Sequence, residues 1–257
     1  MGDKNKRRNF LKTGITLGGA SIASPVLSLP LQLTSKKTLK ENYTILFQGD
    51  SITDGNRTRN NDWNHIMGHG YAYIIASKLW YQFPETKFRI YNRGVSGDKV
   101  TDLEKRWEED TMALQPDLLS ILVGINDISV YINGGKSFTV AQYEEKYKGL
   151  LETTKTKFPA VQFVLCEPFI LPVGNVKNKL DVFKEEVAKR QEVVKKLAKE
   201  FDAVYIPFQQ AFNNMLTKAP ADYWIWDGIH PMPAGHELMA LEWMKLVGQK
   251  VGIDFLG

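Results

Sequence analysis

The stretch Tyr43-Thr44-Ile45-Leu46-Phe47 is short, apolar and rich in β-branched and aromatic residues, and a Gly-Asp-Ser turn follows it closely. Such a run bounded by turn residues predicts a β-strand. Four runs of the same kind come later, each after an amphipathic stretch: Phe88–Tyr91, Leu118–Val123, Val161–Cys166 and Val204–Ile206. Because parallel neighbours need crossover connections, which helices supply, this alternation predicts an α/β fold with a five-stranded parallel sheet covered on both faces.

The stretches between the predicted strands have the period of amphipathic helices. The clearest covers residues 180–201, where apolar residues recur at spacings of three, four and seven opposite a face of Lys and Glu. Residues 53–69 and 125–138 are rich in Asn, Gly and Asp and predict loops. A chain of 257 residues without an internal repeat or linker predicts one folded domain, which we place at residues 40–257. The other predicted helices lie near 70–82, 101–114, 139–157 and 234–250.

The charge and the cysteine content exclude several classes of protein. The formal net charge of +4 comes from the first 30 residues, and the rest of the chain has equal numbers of acidic and basic residues. A neutral domain does not favour nucleic-acid binding. The single cysteine, Cys166, excludes an intramolecular disulfide and any multi-cysteine zinc site. Its apolar neighbours predict a buried strand thiol.

The N-terminus has the layout of an export signal. Residues 1–12 are basic, and residues 14–33 are small and apolar but are broken by Pro25 and Pro30. The run Lys6-Arg7-Arg8-Asn9-Phe10-Leu11-Lys12 resembles a twin-arginine signal. We therefore predict a signal peptide over residues 1–30, cleaved at about 23–30 or retained as an anchor. A periplasmic or secreted location follows, with no stable membrane association once the signal is removed.

Residues capable of chemistry follow the first three predicted strands. Ser51 comes after the first strand behind Gly49, in a turn that can present its hydroxyl and its backbone N–H. Gly94 follows the second strand and can offer its N–H to a ligand, and Asn126 follows the third with an amide that can donate to an oxyanion. Because ligands bind at the carboxyl ends of parallel strands, these residues predict a site at one edge of the sheet. Taken singly, each also fits an ordinary turn or helix cap.

An acid and a histidine lie three residues apart in the late stretch Trp226-Asp227-Gly228-Ile229-His230-Pro231. At this spacing the carboxylate can hold one imidazole nitrogen while the other nitrogen faces a nucleophile. Pro231 favours an extended backbone at His230, which suits a loop that presents its side chain. Together with Ser51, this stretch supplies a nucleophile, a base and an orienting acid.

These blocks resemble those of the SGNH, or GDSL, hydrolase superfamily, and they span nearly the whole chain after the signal. The resemblance implies a three-layer α/β/α sandwich with a flavodoxin-like, five-stranded parallel sheet. The reaction it implies is ester hydrolysis through an acyl-serine, without a metal or an organic cofactor. The matching residues are Gly49-Asp50-Ser51, with Ile52 where the family has Leu, then Gly94, then Gly124-Ile125-Asn126-Asp127, and finally Asp227-Gly228-Ile229-His230.

The same resemblance implies a role for each matching residue. Ser51 would be the nucleophile, His230 the general base and then acid, and Asp227 the group that orients His230. The backbone N–H of Ser51, the N–H of Gly94 and the amide of Asn126 would form the oxyanion hole.

A narrower resemblance concerns the substrate. Four stretches are similar to the single-domain acetylxylan esterases of this superfamily, which implies removal of acetyl groups from xylan or its oligosaccharides. Trp63, Tyr131 and Trp226 lie in or near site-forming loops and are candidates for sugar contacts. Trp226, next to Asp227, is also the best candidate for a wall of the acyl pocket. The similar stretches are Phe47–Asp54, Asn92–Gly97, Arg106–Asp110 and Trp226–Pro231.

Other functions remain open at this point. A lipid esterase, a lysophospholipase or a thioesterase would share the triad, although the chain has no long apolar lid insertion. A non-catalytic carbohydrate-binding protein would have lost a catalytic group, and none is missing. His65 and His69 have a spacing that metals use, but nearby glycines disfavour a helix and no carboxylate completes the set, so we predict no metal. The predicted partner is an acetylated carbohydrate, and aromatics such as Tyr73 and Tyr81 leave room for a homo-oligomer.

Overall fold

The structure is a computed structural model that describes residues 38–60, 62–134 and 136–257. The export signal predicted over residues 1–30 lies outside the described residues. Among the helices of the described part, none is long and apolar enough to cross a membrane.

Five parallel strands form the sheet, in the order β2-β1-β3-β4-β5. The central strands β1 and β3 are buried along their whole length, since helices cover both faces, and this explains their continuous apolar runs. The predicted α/β class and parallel sheet are confirmed. The strands are β1 Thr44–Gly49, β2 Arg89–Asn92, β3 Leu118–Leu122, β4 Gln162–Cys166 and β5 Val204–Ile206.

Helices α2, α8 and α10 cover one face of the sheet, and α3, α5 and α7 cover the other. A π-helical turn, Glu108–Met112, continues α3, and a 3-10 turn, Pro84–Thr86, precedes β2. The helices are α1 Ser51–Asp54, α2 Tyr71–Gln82, α3 Val100–Trp107, α4 Ile125–Asn133, α5 Val140–Lys157, α6 Gly174–Lys177, α7 Leu180–Glu200, α8 Phe208–Met215, α9 Ala221–Trp224 and α10 Pro233–Val251.

Each face of the sheet is anchored by a buried tryptophan whose indole N–H has a partner. Trp243 of α10 donates to the hydroxyl of Ser120 on β3 at 3.0 Å. On the other face, Trp107 of α3 donates to the hydroxyl of Thr154 on α5 at 2.9 Å. Large aromatic area is thus buried without leaving a polar group unpaired, which fixes the helices against the sheet.

The loop predicted for residues 125–138 is wrong over its first part, which forms helix α4. Ile125 and Ile128 lie three residues apart on one side of this helix and pack with Phe183 and Val187 of α7. Burial of that apolar side outweighs the low helix propensity of the Asn and Ser residues around it.

The carboxyl ends of β1, β2 and β3 meet at one edge of the sheet, because the strands are parallel and in register. Phe47 of β1 aligns with Asn92 of β2, and Gly49 of β1 aligns with Leu122 of β3. A Cβ at Gly49 would lie 2.3 Å from the carbonyl oxygen of Leu122, so only glycine lets β1 end this close to β3. The residue that follows Asp50 is therefore presented at this edge.

Candidate active site

Ser51 is the first residue of α1 and stands directly at the carboxyl end of β1. The preceding residue, Asp50, caps the helix, since its carboxylate accepts a hydrogen bond from the N–H of Ile52 at 3.1 Å. A strand, a glycine turn and a capped helix thus fix the backbone on both sides of Ser51. Its hydroxyl contacts His230, which lies 179 residues later in the sequence.

The structure brings Ser51, His230 and Asp227 together in one hydrogen-bonded line. The Oγ of Ser51 lies 2.8 Å from Nε2 of His230, and Nδ1 of His230 lies 2.7 Å from Oδ2 of Asp227. A carboxylate at Nδ1 keeps the proton on that nitrogen, which leaves Nε2 free to accept from the serine. This is the order of contacts that makes a serine hydroxyl nucleophilic.

Asp227 is held as an ionised acceptor. Its Oδ1 accepts from the backbone N–H of Ile229 at 2.9 Å and of His230 at 2.7 Å. Burial acts to raise the pKa of Asp227, but these bonds and the histidine outweigh it, so the pKa lies below its ordinary value. The carboxylate therefore stays charged at neutral pH. It remains paired with the imidazole of His230.

The backbone around His230 is fixed by short-range bonds. Trp226 N–H donates to the carbonyl of His230 at 3.2 Å, which closes the loop. The segment after β4 is tied to the same loop, because Leu171 N–H donates to Gly228 O at 3.0 Å. A Cβ at Gly174 would lie 2.4 Å from Cα of Asp227, so that segment packs directly against the acid. These loop contacts, and not a position within a helix, fix the backbone of His230.

Asn126 lies in the first turn of α4, at the end of β3. One N–H of its amide donates to the carbonyl of Asp98 at 3.1 Å. That bond holds the Asn126 amide against the loop that follows β2. The same loop carries Gly94, the backbone donor to an oxyanion that the sequence predicts. The second N–H of the amide is left for a ligand.

The expected oxyanion donor Gly94 is already occupied. Its N–H donates to Oδ1 of Asn92 at 2.9 Å, and a Cβ there would lie 2.4 Å from the backbone nitrogen of Asp54. Gly94 is thus a buried packing position that lets the loop pass close to α1. Its N–H is not free to meet an oxyanion, which corrects the role given to it from the sequence.

Gly97, three residues further along the same loop, has the properties expected of Gly94. It is exposed, its φ is +89°, and a Cβ on it would meet no atom within 4 Å. Among the described residues, no acceptor takes the N–H of Gly97 or that of Ser51. Sequence reasoning missed Gly97 because two glycines share one loop, and only the hydrogen bonds separate a packing glycine from an open one.

The loop that carries Gly97 is anchored by Asp54 of α1. The Oδ2 of Asp54 accepts from the N–H of Ser96 at 3.0 Å, and Arg59 pairs with both carboxylate oxygens at 3.1 and 2.6 Å. Because Asp54 lies one helical turn after Ser51, it fixes the distance between the serine and the neighbouring loop.

The three predicted aromatic contacts fall in different places. Trp226 is 60% exposed and its ring stacks on His230, with centroids 6.3 Å apart and an interplanar angle of 25°. Tyr131 lies instead under the guanidinium of Arg190, at 5.5 Å, in the packing between α4 and α7. Trp63 lines a cavity beyond the triad. Trp226 is therefore the aromatic placed beside the reacting groups.

His65, considered above as half of a metal pair, is engaged otherwise. Its Nδ1 lies 2.6 Å from Oδ2 of Asp62, within its own turn. Within the described ranges, no group of three His, Cys, Asp or Glu side chains is arranged to hold a metal ion.

Two buried carboxyl groups flank the site residues. Burial raises the pKa of Asp50 to about 7, and the nearby carboxyl groups of Asp127 and Asp98 add to this effect. Burial also raises the pKa of Asp127 to about 6. Both groups therefore tend to hold a proton at a pH where exposed carboxyls have lost it.

Asp50→Asn is expected to change how stability depends on pH. In the wild type, the folded state keeps the Asp50 proton up to about pH 7, whereas the unfolded chain releases it near pH 4, so stability falls between these values. Asparagine keeps the helix-cap acceptor and has no proton to lose. The variant should gain on the order of 4 kcal/mol relative to wild type between pH 4 and pH 8, measured by urea unfolding.

The exposed Asp222→Asn is the matched control and should show no such divergence. Parallel stability curves for wild type and Asp50→Asn would contradict a buried, protonated Asp50.

The chain is similar to a known family and to known proteins. The sequence model of the GDSL-like lipase/acylhydrolase family matches residues 47–238. The acetylxylan esterase of Geobacillus stearothermophilus is 32% identical over 210 residues, which cover 79% of this chain and 93% of that relative.

Solved structures with the same fold agree. A protein from Parabacteroides merdae, described as a GDSL-like lipase, is 42% identical, with a TM-score of 0.78 over 83% of this chain and 99% of its own. The acetylxylan esterase Axe2 of G. stearothermophilus is 31% identical, with a TM-score of 0.72 over 85% of this chain and 98% of its own.

These similarities define the class of protein: the fold is that of the SGNH hydrolases, and the chain is a carboxylic ester hydrolase. The chain belongs to the GDSL-like lipase/acylhydrolase family. The family and the enzyme class expected from the sequence are confirmed.

Proposed function

We propose that the protein is a serine esterase that removes O-acetyl groups from carbohydrate, such as acetylated xylan or its oligosaccharides, through an acyl-serine intermediate. The hydrogen-bonded line from Ser51 through His230 to Asp227 is the observation that carries the proposal. The similarity to acetylxylan esterase supports the choice of substrate.

In the first half of the reaction, the Oγ of Ser51 attacks the ester carbonyl carbon as its proton moves to Nε2 of His230. The carbonyl oxygen becomes an oxyanion, which the N–H groups of Ser51 and Gly97 and the amide of Asn126 stabilise. Collapse of this intermediate breaks the bond to the sugar oxygen, which takes the proton from His230. Asp227 stabilises the imidazolium throughout.

In the second half, His230 takes a proton from water, and the resulting hydroxide attacks the acetyl-serine. A second oxyanion forms in the same place and collapses, releasing acetate as the Ser51 oxygen regains its proton. No step requires an electron acceptor or a second substrate besides water.

A fluorophosphonate probe tests the nucleophile directly. We expect mass spectrometry of the labelled full chain to place a single adduct on the peptide containing Ser51. Labelling should disappear in His230→Ala, since the serine then loses its base. An adduct on another serine would overturn the assignment.

Asn126→Ala is expected to reduce kcat for p-nitrophenyl acetate by roughly 10²–10³-fold, because one side-chain donor to the oxyanion is lost. KM should change little, since the contact strengthens only as the oxyanion forms. Asn133→Ala, at the far end of α4, is the matched control. A loss in Asn126→Ala confined to KM would contradict its role in the oxyanion hole.

Trp226→Gly is expected to widen the acyl pocket. The indole stacks on His230 beside the ester position, so its removal opens space for longer acyl groups. The ratio of kcat/KM for p-nitrophenyl butyrate to that for the acetate should rise by roughly 30-fold, because butyrate has two more methylenes and each becomes worth about 1 kcal/mol of contact. Tyr223→Gly, exposed on the same segment, is the control. An unchanged ratio would remove Trp226 from the pocket wall.

A further inference from the structure

A cavity of about 620 Å³, not lined by the triad, lies between the loop after α1 and the loop after β2. These are the loops that follow Ser51 and that carry Gly97. The lining of the cavity includes the guanidinium groups of Arg57, Arg59 and Arg93, the aromatic rings of Trp63 and Tyr91, and the carboxyl group of Asp110.

Arg57 is the buried cation of this cavity, with 7% of its surface exposed. Its Nε donates to the carbonyl of Gly94 at 2.9 Å, which aims the guanidinium along the loop after β2. Its two terminal nitrogens have no acceptor among the described residues. Burial, followed by the charge of Arg59, lowers the pKa of Arg57 to about 10. A buried guanidinium with free donors is stabilised by an anion.

The acidic groups nearby do not satisfy this need. Asp54 is fully engaged by Arg59 and by backbone N–H groups. Asp110, which is the one lining carboxylate among the described residues, lies 2.9 Å from Arg106 and 3.7 Å from Nε of Arg93. That Nε is buried and has no hydrogen-bond partner within the described part of the chain. Of the three guanidinium groups that line the cavity, Arg59 is paired with Asp54, and Arg57 and Arg93 are left, among the described side chains, with only the shared carboxylate of Asp110.

The cavity also offers flat aromatic surface. Trp63 is 78% exposed at its rim, and the guanidinium of Arg93 lies 6.0 Å from the ring centre of Tyr91. Exposed aromatic faces next to polar donors suit a sugar ring, whereas a bare inorganic anion would use only the guanidinium groups.

We propose that this cavity binds the carboxylate of an acidic sugar, a uronic acid, in the carbohydrate that carries the ester. The inference rests on the proposed function and names the substrate class more closely. Arg57 and Arg93 hold the carboxylate, and Trp63 packs on the ring that bears it. Arg57 lies six residues after Ser51, and its Nε donates to the carbonyl of Gly94, three residues before Gly97. A ligand in the cavity would therefore contact the same two segments that carry the oxyanion donors Ser51 and Gly97.

Direct binding tests the site without the reaction. Calorimetric titration of the full chain should detect D-glucuronate at low salt and no binding of D-glucose, the neutral match. Arg57→Gln and Arg93→Gln should each weaken glucuronate binding by roughly tenfold, and added salt should weaken it further. Lys218→Gln, which removes an exposed charge elsewhere, should bind as the wild type does. Inorganic phosphate binding as tightly as glucuronate would overturn the assignment to an acidic sugar.

Kinetics then connect the cavity to the ester. The ratio of KM for neutral to KM for glucuronate-bearing acetylated xylo-oligosaccharides should exceed one in the wild type and fall by roughly tenfold in Arg93→Gln, whose side chain is partly exposed. Trp63→Ala should lower the same ratio. An unchanged ratio in both variants, with acetate still released, would refute the proposal that the cavity binds a uronic acid. It would not contradict the proposed esterase function. Loss of Ser51-dependent release from both substrates would refute the proposed function, whatever glucuronate binding shows.

Discussion

Ser51→Ala is expected to lower kcat for p-nitrophenyl acetate by at least about 10⁴-fold while the protein stays folded. The Oγ of Ser51 makes the 2.8 Å contact to Nε2 of His230, and no other nucleophile occupies that position in the described structure. Without the hydroxyl no acyl-enzyme forms, and only binding and the oxyanion donors remain to accelerate attack by water.

The variant should unfold at nearly the same urea concentration as the wild type, because Ser51 is partly exposed and a methyl group fits where the hydroxyl was. Ser77→Ala, on the exposed side of α2, controls for the loss of a serine as such. Activity in Ser51→Ala within tenfold of the wild type would mean that the nucleophile is a different residue.

Asp227→Asn is expected to lower kcat by about 10⁴-fold with the geometry preserved. Asparagine still accepts from the N–H groups of Ile229 and His230 through its oxygen. Its amide group then donates to Nδ1 of His230, which forces the proton onto Nε2. In that tautomer the imidazole cannot accept the proton of Ser51.

The matched control is Asp222→Asn, five residues earlier and exposed, which should keep full activity. Unfolding measurements separate a role of Asp227 in setting the His230 tautomer from a role in packing the loop. If Asp227 only packed the loop, its variant would lose thermal stability and kcat together, at every pH. A loss of kcat with unchanged unfolding is the result that the tautomer argument requires.

The sequence was sufficient to predict the sheet and the meeting of Ser51, His230 and Asp227, for identifiable reasons. Central parallel strands are buried on both faces, so their apolar runs stand out without any alternation. The acid and the base come from one short loop, where a spacing of three residues fixes their contact. Parallel strands in register bring that loop's partner, Ser51, to a known edge of the sheet.

The errors arose where long-range contacts decide. Helix α4 forms because Ile125 and Ile128 pack against α7. Local composition does not predict this long-range contact. Gly94 and Gly97 lie in the same loop, and the sequence does not distinguish their backbone N–H groups. Only the hydrogen bond from the Gly94 N–H to Oδ1 of Asn92 shows that this N–H already has an acceptor. Trp63 was expected to contact a sugar from a loop near the site, and that expectation stays a prediction, since the structure places Trp63 at the arginine cavity.

That cavity bears on specificity more than on rate. In the proposed reaction, Ser51, His230, Asp227 and the oxyanion donors contact only the acetyl group, which is the same in every acetylated sugar, so under this proposal they cannot select among carbohydrates. Selection must come from groups that contact the sugar beyond the ester. Arg57, Arg93 and Trp63 line the cavity between the loops that follow α1 and β2, and we propose that their charge and aromatic surface supply this selection.

The most direct test of the account is the rate at which the full chain releases acetate from acetylated xylo-oligosaccharides, measured beside p-nitrophenyl acetate, butyrate and octanoate and repeated with Ser51→Ala. We expect release from the sugar that depends on Ser51, and kcat/KM that falls steeply from acetate to octanoate. A preference for octanoate with no release from the sugar would contradict a carbohydrate acetylesterase and identify an esterase of long acyl chains.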